Sequence, residues 1–185
     1  MIATLRPLTY DDLLQMPDDG QRYEIIGGEL SVTPAPSWNH QRVLGEIYRL
    51  IDDFARDSRE GKVVFAPFDV ILGPHDIVEP DLVFMASTQG PVPGEQNFFQ
   101  GAPHLLVEVV SPSSRQSDNA KKLALYARAG VLEYWIADPV QRTLIINVLN
   151  GEAYIPIRPE ADGWYSSRAL RGLRVNPSDI FADLD

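Results

Sequence analysis

Apolar residues recur with helical spacing in two segments of the chain. The first segment begins at Ser37 or Asn39, either of which can cap a helix. Its apolar stripe consists of Val43, Leu44, Ile47, Leu50, Ile51 and Phe54. The second segment begins at Ser117 or Asp118 and ends before Gly130, a residue type common after a last helical turn. Its apolar positions are Ala120, Leu123, Ala124 and Ala127. The pattern therefore predicts one long and one shorter amphipathic helix.

Shorter apolar runs predict β-strands. Residues 22–26 and 29–32 flank Gly27-Gly28, a glycine pair suited to the turn of a tight hairpin. Further strands are predicted at residues 63–72, 77–85, 105–110, 133–137, 143–149, 153–157 and 164–170. The strand at 105–110, the second helix and the strand at 133–137 form a strand–helix–strand unit. Such a unit places its two strands in parallel in one sheet, so an α/β fold with a partly parallel sheet is predicted.

One connection is unusually long. Residues 86–103 are rich in Gly, Pro and Gln, and a segment of this kind is commonly a functional or mobile loop. We expect it to be mobile. Phe98 and Phe99 are expected to anchor it locally; stacking on a nucleobase and packing on a partner subunit are the alternatives.

Composition narrows the possible functions. Of 185 residues, 26 are acidic and 16 basic, so the net charge is −10, and there is no cysteine. Disulfides, thiolate metal sites and a cysteine nucleophile are therefore excluded. The N-terminal residues lack the apolar core of a signal peptide and no run is long enough to span a membrane, so the cytoplasm is the expected location. The negative charge opposes binding to nucleic acid. A local basic strip could still guide phosphates; its candidates are Arg42, Arg49, Arg56, Arg59 and Lys62.

Two carboxylates interrupt predicted apolar strands. Glu108 lies within the run at 105–110 and Asp81 within the run at 77–85. An ionised carboxylate in an apolar sheet is costly unless it is paired or binds a metal. Their oxygen atoms suit Mg²⁺ or Mn²⁺, which can activate a water and neutralise charge on a phosphodiester. The alternative is that both are structural carboxylates paired with Arg or Lys.

Two further side chains could join such a site. Lys122 lies four residues after Asp118 and four before Tyr126, so the three share a helix face from which Lys122 could reach the Glu108 strand. His40 lies at the start of the first helix, where unpaired N–H groups favour a phosphate. A core histidine that is hydrogen-bonded to the backbone is the alternative for His40.

The motifs taken together resemble a known family. The C-terminal half contains Pro80-Asp81, then Glu108-Val109-Val110-Ser111-Pro112-Ser113, then Asp118 with Lys122 and Tyr126, then Gly130-Val131, then Glu133-Tyr134-Trp135-Ile136-Ala137-Asp138. The N-terminal half contains Tyr23-Glu24, Gly28-Glu29-Leu30 and His40. This set resembles the Uma-type putative restriction endonuclease family, a branch of the PD-(D/E)XK nuclease superfamily. The resemblance covers nearly the whole chain, as one domain over residues 1–185.

The resemblance implies a fold and a site. The fold would be an α/β restriction-endonuclease-like core, with a mixed central sheet flanked by helices and with additional N- and C-terminal hairpins. Asp81 and Glu108 would bind the metal, with the carbonyl of Val109 as a possible further ligand. Val110 stands where the superfamily has its lysine, and Lys122 would replace that lysine from the helix. Lys121 would point about 100° away around the helix.

The resemblance also implies catalytic roles and an activity. Glu24 would lie at the edge of the metal site, and His40 would orient water or phosphate. The protein would be an endonuclease that uses Mg²⁺, or Mn²⁺ in its place, to hydrolyse phosphodiester bonds of DNA through a metal-activated water. Nucleic acid would be its partner, no membrane would be involved, and a homodimer is possible. The alternative is a catalytically silent nuclease fold that serves as a binding or assembly module, which the acidic surface favours.

Overall fold

The computed structural model describes residues 6–33, 35–89, 97–110 and 117–184, without the side chains of residues 117–119. Its helices are α1 (Tyr10–Leu13), α2 (Trp38–Ser58), α3 (Ser117–Ala129) and α4 (Pro177–Ile180). Its strands are β1 (Arg22–Ile26), β2 (Glu29–Thr33), β3 (Gly61–Phe65), β4 (Asp69–Gly73), β5 (Asp76–Val78), β6 (Leu82–Ala86), β7 (Phe98–Gln100), β8 (Leu105–Val109), β9 (Glu133–Asp138), β10 (Thr143–Asn150), β11 (Ala153–Pro156), β12 (Tyr165–Ser166) and β13 (Arg174–Val175).

The strands form two mixed sheets and one two-stranded ribbon. The first sheet has the order β2-β1-β5-β4-β7, and the second has the order β11-β10-β9-β8-β6-β3. β8 and β9 are parallel neighbours joined through α3, so the predicted strand–helix–strand unit is confirmed. The hairpin of β1 and β2 and the hairpin of β10 and β11 are confirmed as well. The chain has the predicted α/β class, although its strands are divided between two sheets.

Two predicted strands are wrong in the same way. The segments 63–72 and 77–85 were each expected to be one strand, but each contributes one strand to each sheet. Pro67 and Pro80 lie at the two breaks, where proline offers no N–H to a ladder and restricts the residue before it. Asp81 is therefore not inside a strand. It lies at the crossing from β5 in the first sheet to β6 in the second.

Helices α2 and α3 pack on opposite faces of the second sheet. Side chains alternate between the faces of a strand, and in β8 Leu105, Val107 and Val109 belong to the core cluster of α2. Leu106 belongs to the cluster that contains Tyr126 of α3 and Val70 and Val78 of the first sheet. Glu108 has the same parity as Leu106. It therefore faces α3 and the first sheet rather than α2.

The end of the chain differs from its prediction. The expected strand at 164–170 is only the two residues of β12, followed by a turn to β13. Because Leu170, Leu173 and Val175 pack into the core of α2, this segment is fixed by its apolar side chains more than by strand pairing.

The long segment at 86–103 is only partly described. Residues 87–89 form a short 3₁₀ helix, and β7 pairs in parallel with β4. The ring of Phe98 lies 5.5 Å from that of Tyr10, and Phe99 packs on the α3 cluster, so the local anchoring of both aromatics is confirmed. The expected mobility concerns mainly residues 90–96, which lie outside the described residues. Across the described ranges, no helix combines the length and apolar character needed to cross a membrane.

Candidate active site

Five of the predicted site residues come together at the seam between the two sheets. Glu24 projects from β1, His40 from the first turn of α2, Glu108 from β8 and Lys122 from α3. Asp81 lies at the crossing between the sheets and contacts His40 directly. Glu24 and Asp81 are 57 positions apart in the sequence, and the packing of the two sheets brings them into one site.

Asp81 is held by three donors. Its Oδ2 accepts the Val109 N–H at 2.8 Å and lies 3.1 Å from His40 Nε2, and its Oδ1 accepts Arg22 Nη1 at 2.8 Å. Burial alone would raise the pKa of Asp81, but its hydrogen bond with His40 and the charges of His40 and Arg22 outweigh burial and lower that pKa. Asp81 is therefore an ionised carboxylate although it is only 1% exposed.

Lys122 bridges the two glutamates. Its Nζ donates to Glu108 Oε1 at 2.8 Å and to Glu24 Oε1 at 2.9 Å. Burial disfavours the charged ammonium, but the charges of Glu108 and Glu24 raise the pKa of Lys122 above its usual value. Tyr126, one turn further along α3, donates its hydroxyl to Glu108 Oε1 at 3.0 Å. The side chain of Asp118, expected on the same helix face, lies outside the described residues.

The expected difference between the two lysines is present in the structure. Lys122 is 9% exposed, whereas the Lys121 side chain is 60% exposed and its Nζ lies 3.7 Å from Glu29 Oε2. Lys121 therefore points away from the carboxylate cluster. Val110 carries no charge, so in this chain the charged partner of Glu108 is Lys122 of α3.

The site contains more carboxyl groups than permanent cations. Glu24, Glu79, Asp81 and Glu108 face two permanent cations, Arg22 and Lys122. Burial raises the pKa of Glu108 to about 7; Lys122 opposes this rise, and Asp81 and Glu24 add to it. The surplus of buried carboxylates favours binding of a further cation.

The donor set fits a hard divalent cation. Mg²⁺ requires only one or two carboxylates and retains several waters, so Asp81 and Glu108 suffice as its protein ligands. Glu79 Oε1 is a buried oxygen for which the described residues provide no hydrogen-bond donor, so it is a further candidate ligand. Within the described ranges, no group of three or more His, Asp or Glu side chains is arranged to hold a metal ion, so water would have to supply most of the ligands. The carbonyl of Val109 stays a predicted ligand; its N–H holds Asp81.

A cleft of about 480 Å³ opens beside Asp81. Arg22, His40, Glu79 and Asp81 form its polar wall, and its apolar wall includes Leu44, Phe65, Ala66 and Pro67. Phe65 is 56% exposed, so an aromatic face is available at the same opening as the carboxylates. The cleft is the route by which a ligand would reach Asp81.

Three of the five residues expected to form a basic strip are paired with carboxylates. Arg42 pairs with Asp183, Arg49 with Glu46, and Arg56 with Asp52. The spacing that places these arginines on one side of α2 also places acidic residues three or four positions away from Arg49 and Arg56. These three arginines therefore offer little net attraction to phosphate, and the other two expected members, Arg59 and Lys62, line a separate cleft together with Arg56.

Sequence reasoning missed Arg22 and Glu79 as site residues. Each lies two positions before a recognised member, Glu24 in the case of Arg22 and Asp81 in the case of Glu79. For Arg22 a signal existed, because residues two apart on a strand share a face. For Glu79 the sequence gives no such signal, because the pattern of apolar residues does not show that the chain crosses from one sheet to the other at Pro80.

A buried carboxylate elsewhere shows the structural alternative. Glu133 is fully buried, and its oxygens accept Trp135 Nε1, the Ser167 hydroxyl and the N–H groups of Arg168 and Ala169. All four donors are neutral, and they fix the segment after β12 against β9. Glu133 therefore serves the fold, in contrast to the charged contacts around Asp81 and Glu108.

The two-sheet fold and the buried carboxylate–lysine cluster define a nuclease-like α/β protein. The profile of the Uma2 family, described as a putative restriction endonuclease family, matches residues 10–178, and the chain belongs to that family. A solved structure of the same fold is that of a putative nuclease of DUF820 from Anabaena variabilis. The two share 21% sequence identity with a TM-score of 0.82, over 97% of this chain and 100% of the other. None of the curated proteins is a significant match to the chain.

Proposed function

We propose that this protein is an endonuclease that hydrolyses phosphodiester bonds of DNA with Mg²⁺, or Mn²⁺ in its place. The observation that carries the proposal is the contact of Lys122 Nζ with Glu108 at 2.8 Å, next to the buried Asp81. Two carboxylates and a lysine are the chemical set that the nuclease superfamily uses. Here the lysine comes from α3, and membership of a family named for restriction endonucleases supports the same activity.

Each side chain has a role that its contacts allow. Asp81 and Glu108 would hold the cation, which when bound supplies a water of lowered pKa and neutralises charge on the phosphate. Lys122 would stabilise negative charge that develops on the reacting phosphate. Glu24 keeps the Lys122 ammonium in place at 2.9 Å. His40 contacts Asp81 at 3.1 Å, so we assign it to orienting that carboxylate; its predicted contact with water or phosphate is secondary.

A cleavage assay with a matched pair of variants tests the proposal. Purified protein is incubated with duplex DNA, single-stranded DNA and RNA, each with Mg²⁺, Mn²⁺ or EDTA. We expect cleavage of DNA that requires the cation and is lost in Asp81→Asn but kept in Glu133→Gln. Cleavage that persists in EDTA or in Asp81→Asn would refute the site.

A binding or assembly module without catalysis is the second candidate. The net charge of −10 and the paired arginines of α2 favour it, because both reduce attraction to nucleic acid. Calorimetric titration with Mn²⁺ separates the two functions, since a silent module has no reason to bind the cation at Asp81. Sedimentation analysis of the same sample tests the homodimer, which would present two sites to the two strands of a duplex.

A further inference from the structure

Arg22 faces the acidic site from the side of the open cleft. Its Nη1 donates to Asp81 Oδ1 at 2.8 Å, and its Nε lies 3.8 Å from Glu79 Oε1. The Arg22 side chain is 22% exposed, compared with 2% for Asp81. Because Arg22, Glu79 and Asp81 all line the cleft, the guanidinium lies between solvent and the carboxylates.

The guanidinium occupies the position that a divalent cation would need. Asp81 Oδ2 already accepts Val109 N–H and contacts His40, so Oδ1 is the oxygen left for a ligand, and Arg22 is bonded to it. Glu79 Oε1 is buried without a hydrogen-bond donor among the described residues. A cation held by Asp81 and Glu108, with Glu79 as a further ligand, would lie close to the guanidinium, which interacts with the charges of all three carboxylates, so repulsion between the two cations would be strong.

The two cations of the site differ in their freedom to move. Lys122 is 9% exposed and is bonded to both Glu24 and Glu108, so it is fixed within the protein. Arg22 has a long side chain at the mouth of the cleft and can turn outward without disturbing the core. Turned outward, its planar guanidinium can bind a phosphate through two parallel hydrogen bonds.

We infer that Arg22 couples cation binding to substrate binding. Without a divalent cation, its guanidinium neutralises Asp81 and Glu79. A cation held by Asp81 and Glu108 displaces Arg22 into the cleft, and there Arg22 binds a backbone phosphate of the nucleic acid next to the bond to be cleaved. This inference rests on the proposed function and adds to it a positioning residue that also sets the cation affinity.

Calorimetry with Mn²⁺ tests the first part of the inference, that the charge of Arg22 opposes cation binding. Arg22→Gln keeps a hydrogen-bond donor near Asp81 but removes the charge, so Mn²⁺ should bind roughly tenfold more tightly or better. Arg22→Lys keeps the charge and should bind Mn²⁺ within about threefold of the unmodified protein. Arg49→Gln, which removes an arginine that is 66% exposed on the outer face of α2, is the control and should leave the affinity unchanged. A purely structural role for Arg22 would give weaker, not tighter, Mn²⁺ binding.

Fluorescence anisotropy of a labelled duplex oligonucleotide, measured in Ca²⁺, tests the second part of the inference, that Arg22 binds a backbone phosphate. Arg22→Gln should bind roughly tenfold more weakly, and the slope of log Kd against log salt should fall by about one phosphate contact. Arg22→Lys should also bind more weakly, because an ammonium lacks the paired donors of guanidinium. Arg49→Gln should differ little in either quantity.

The outcomes separate this inference from the proposed function. If neither the unmodified protein nor Arg22→Gln binds Mn²⁺, the metal site fails and the inference fails with it. If the unmodified protein binds Mn²⁺ through Asp81 but Arg22→Gln gains no affinity, the inference alone is wrong. Thermal melting establishes that each variant is folded. If Arg22→Gln is unfolded, Arg22→Lys is the deciding variant. The inference is overturned if Arg22→Lys binds both Mn²⁺ and the oligonucleotide with the same affinities as the unmodified protein.

Discussion

The Nζ of Lys122 lies 2.8 Å from Glu108 Oε1, and the two residues are 14 positions apart. Glu108 is near the end of β8 and Lys122 is in the second turn of α3, so the contact joins the first strand of the strand–helix–strand unit to its helix. The same ammonium is bonded to Glu24 of the other sheet. Lys122 therefore joins the two sheets at the site where the proposed chemistry takes place.

Lys122→Met is expected to lower DNA cleavage by roughly 10²-fold or more, the scale of losing one preorganised electrostatic group. The variant should also be less stable, because the substitution leaves Glu24 and Glu108 buried without their cation, at a cost of about 3 kcal/mol of unfolding free energy. Thermal and urea unfolding without metal measure this cost.

Lys121→Met is the matched control for that prediction. Lys121 is 60% exposed and lies 3.7 Å from Glu29, so its loss should change stability by less than about 0.5 kcal/mol and leave cleavage intact. An inactive Lys121→Met together with an active Lys122→Met would exclude Lys122 as the catalytic lysine.

Asp81→Asn should abolish Mn²⁺ binding in calorimetry and should also destabilise the protein without metal. In the structure Asp81 accepts bonds from Arg22 and Val109 and contacts His40, and replacing the carboxylate by an amide weakens all three. The expected loss is about 1–3 kcal/mol. A variant that is as stable as the unmodified protein would show that these contacts contribute little.

Glu133→Gln is predicted to affect stability alone. The amide would present N–H groups to the donors of Ser167, Arg168 or Trp135, so about 1–3 kcal/mol of unfolding free energy should be lost. Mn²⁺ affinity should equal that of the unmodified protein. Loss of Mn²⁺ binding in this folded variant would mean that Glu133 acts on the site, contrary to its contacts.

The fold was predictable where the apolar pattern of a segment agrees with the way that segment pairs or packs in the structure. The β1–β2 hairpin, the two long helices and the parallel pair β8–β9 follow from glycine turns, helical periodicity and short connections. The division of the strands between two sheets was not predictable, because both segments that cross over are rich in apolar residues on each side of the crossing. Pro67 and Pro80 lie at the crossings, but a proline at the end of a strand is also compatible with a single strand.

The site was predictable as a set of residues but not as a network. The direction of Lys122 follows from helix geometry, and Glu108 from its conflict with an apolar run. That Asp81 and Glu24 meet at a seam depends on how two sheets pack, which no spacing along the chain encodes. Glu79 was missed for this reason, whereas Arg22 was missed although it shares a strand face with Glu24.

Asp69 provides a prediction about the pH dependence of stability. Burial raises the pKa of Asp69, the hydrogen bond from the Tyr10 hydroxyl at 3.2 Å opposes the rise, and the charge of Glu24 adds to it. The folded-state pKa thus exceeds the unfolded-state pKa. The stability that the protonated group contributes is fully present below the unfolded-state pKa and is lost as the pH rises through the folded-state pKa.

Asp69→Asn removes this cost while the amide oxygen still accepts the Tyr10 hydroxyl. The variant should therefore be more stable than the unmodified protein at neutral pH, and the difference should shrink as the pH falls from the folded-state pKa to the unfolded-state pKa. Urea unfolding at a series of pH values measures the difference. Asp57→Asn, at an exposed position of α2, is the control and should show no such gain. If Asp69→Asn is less stable at neutral pH, the charged carboxylate is a net stabilising partner of Tyr10 and the assigned direction of the shift is wrong.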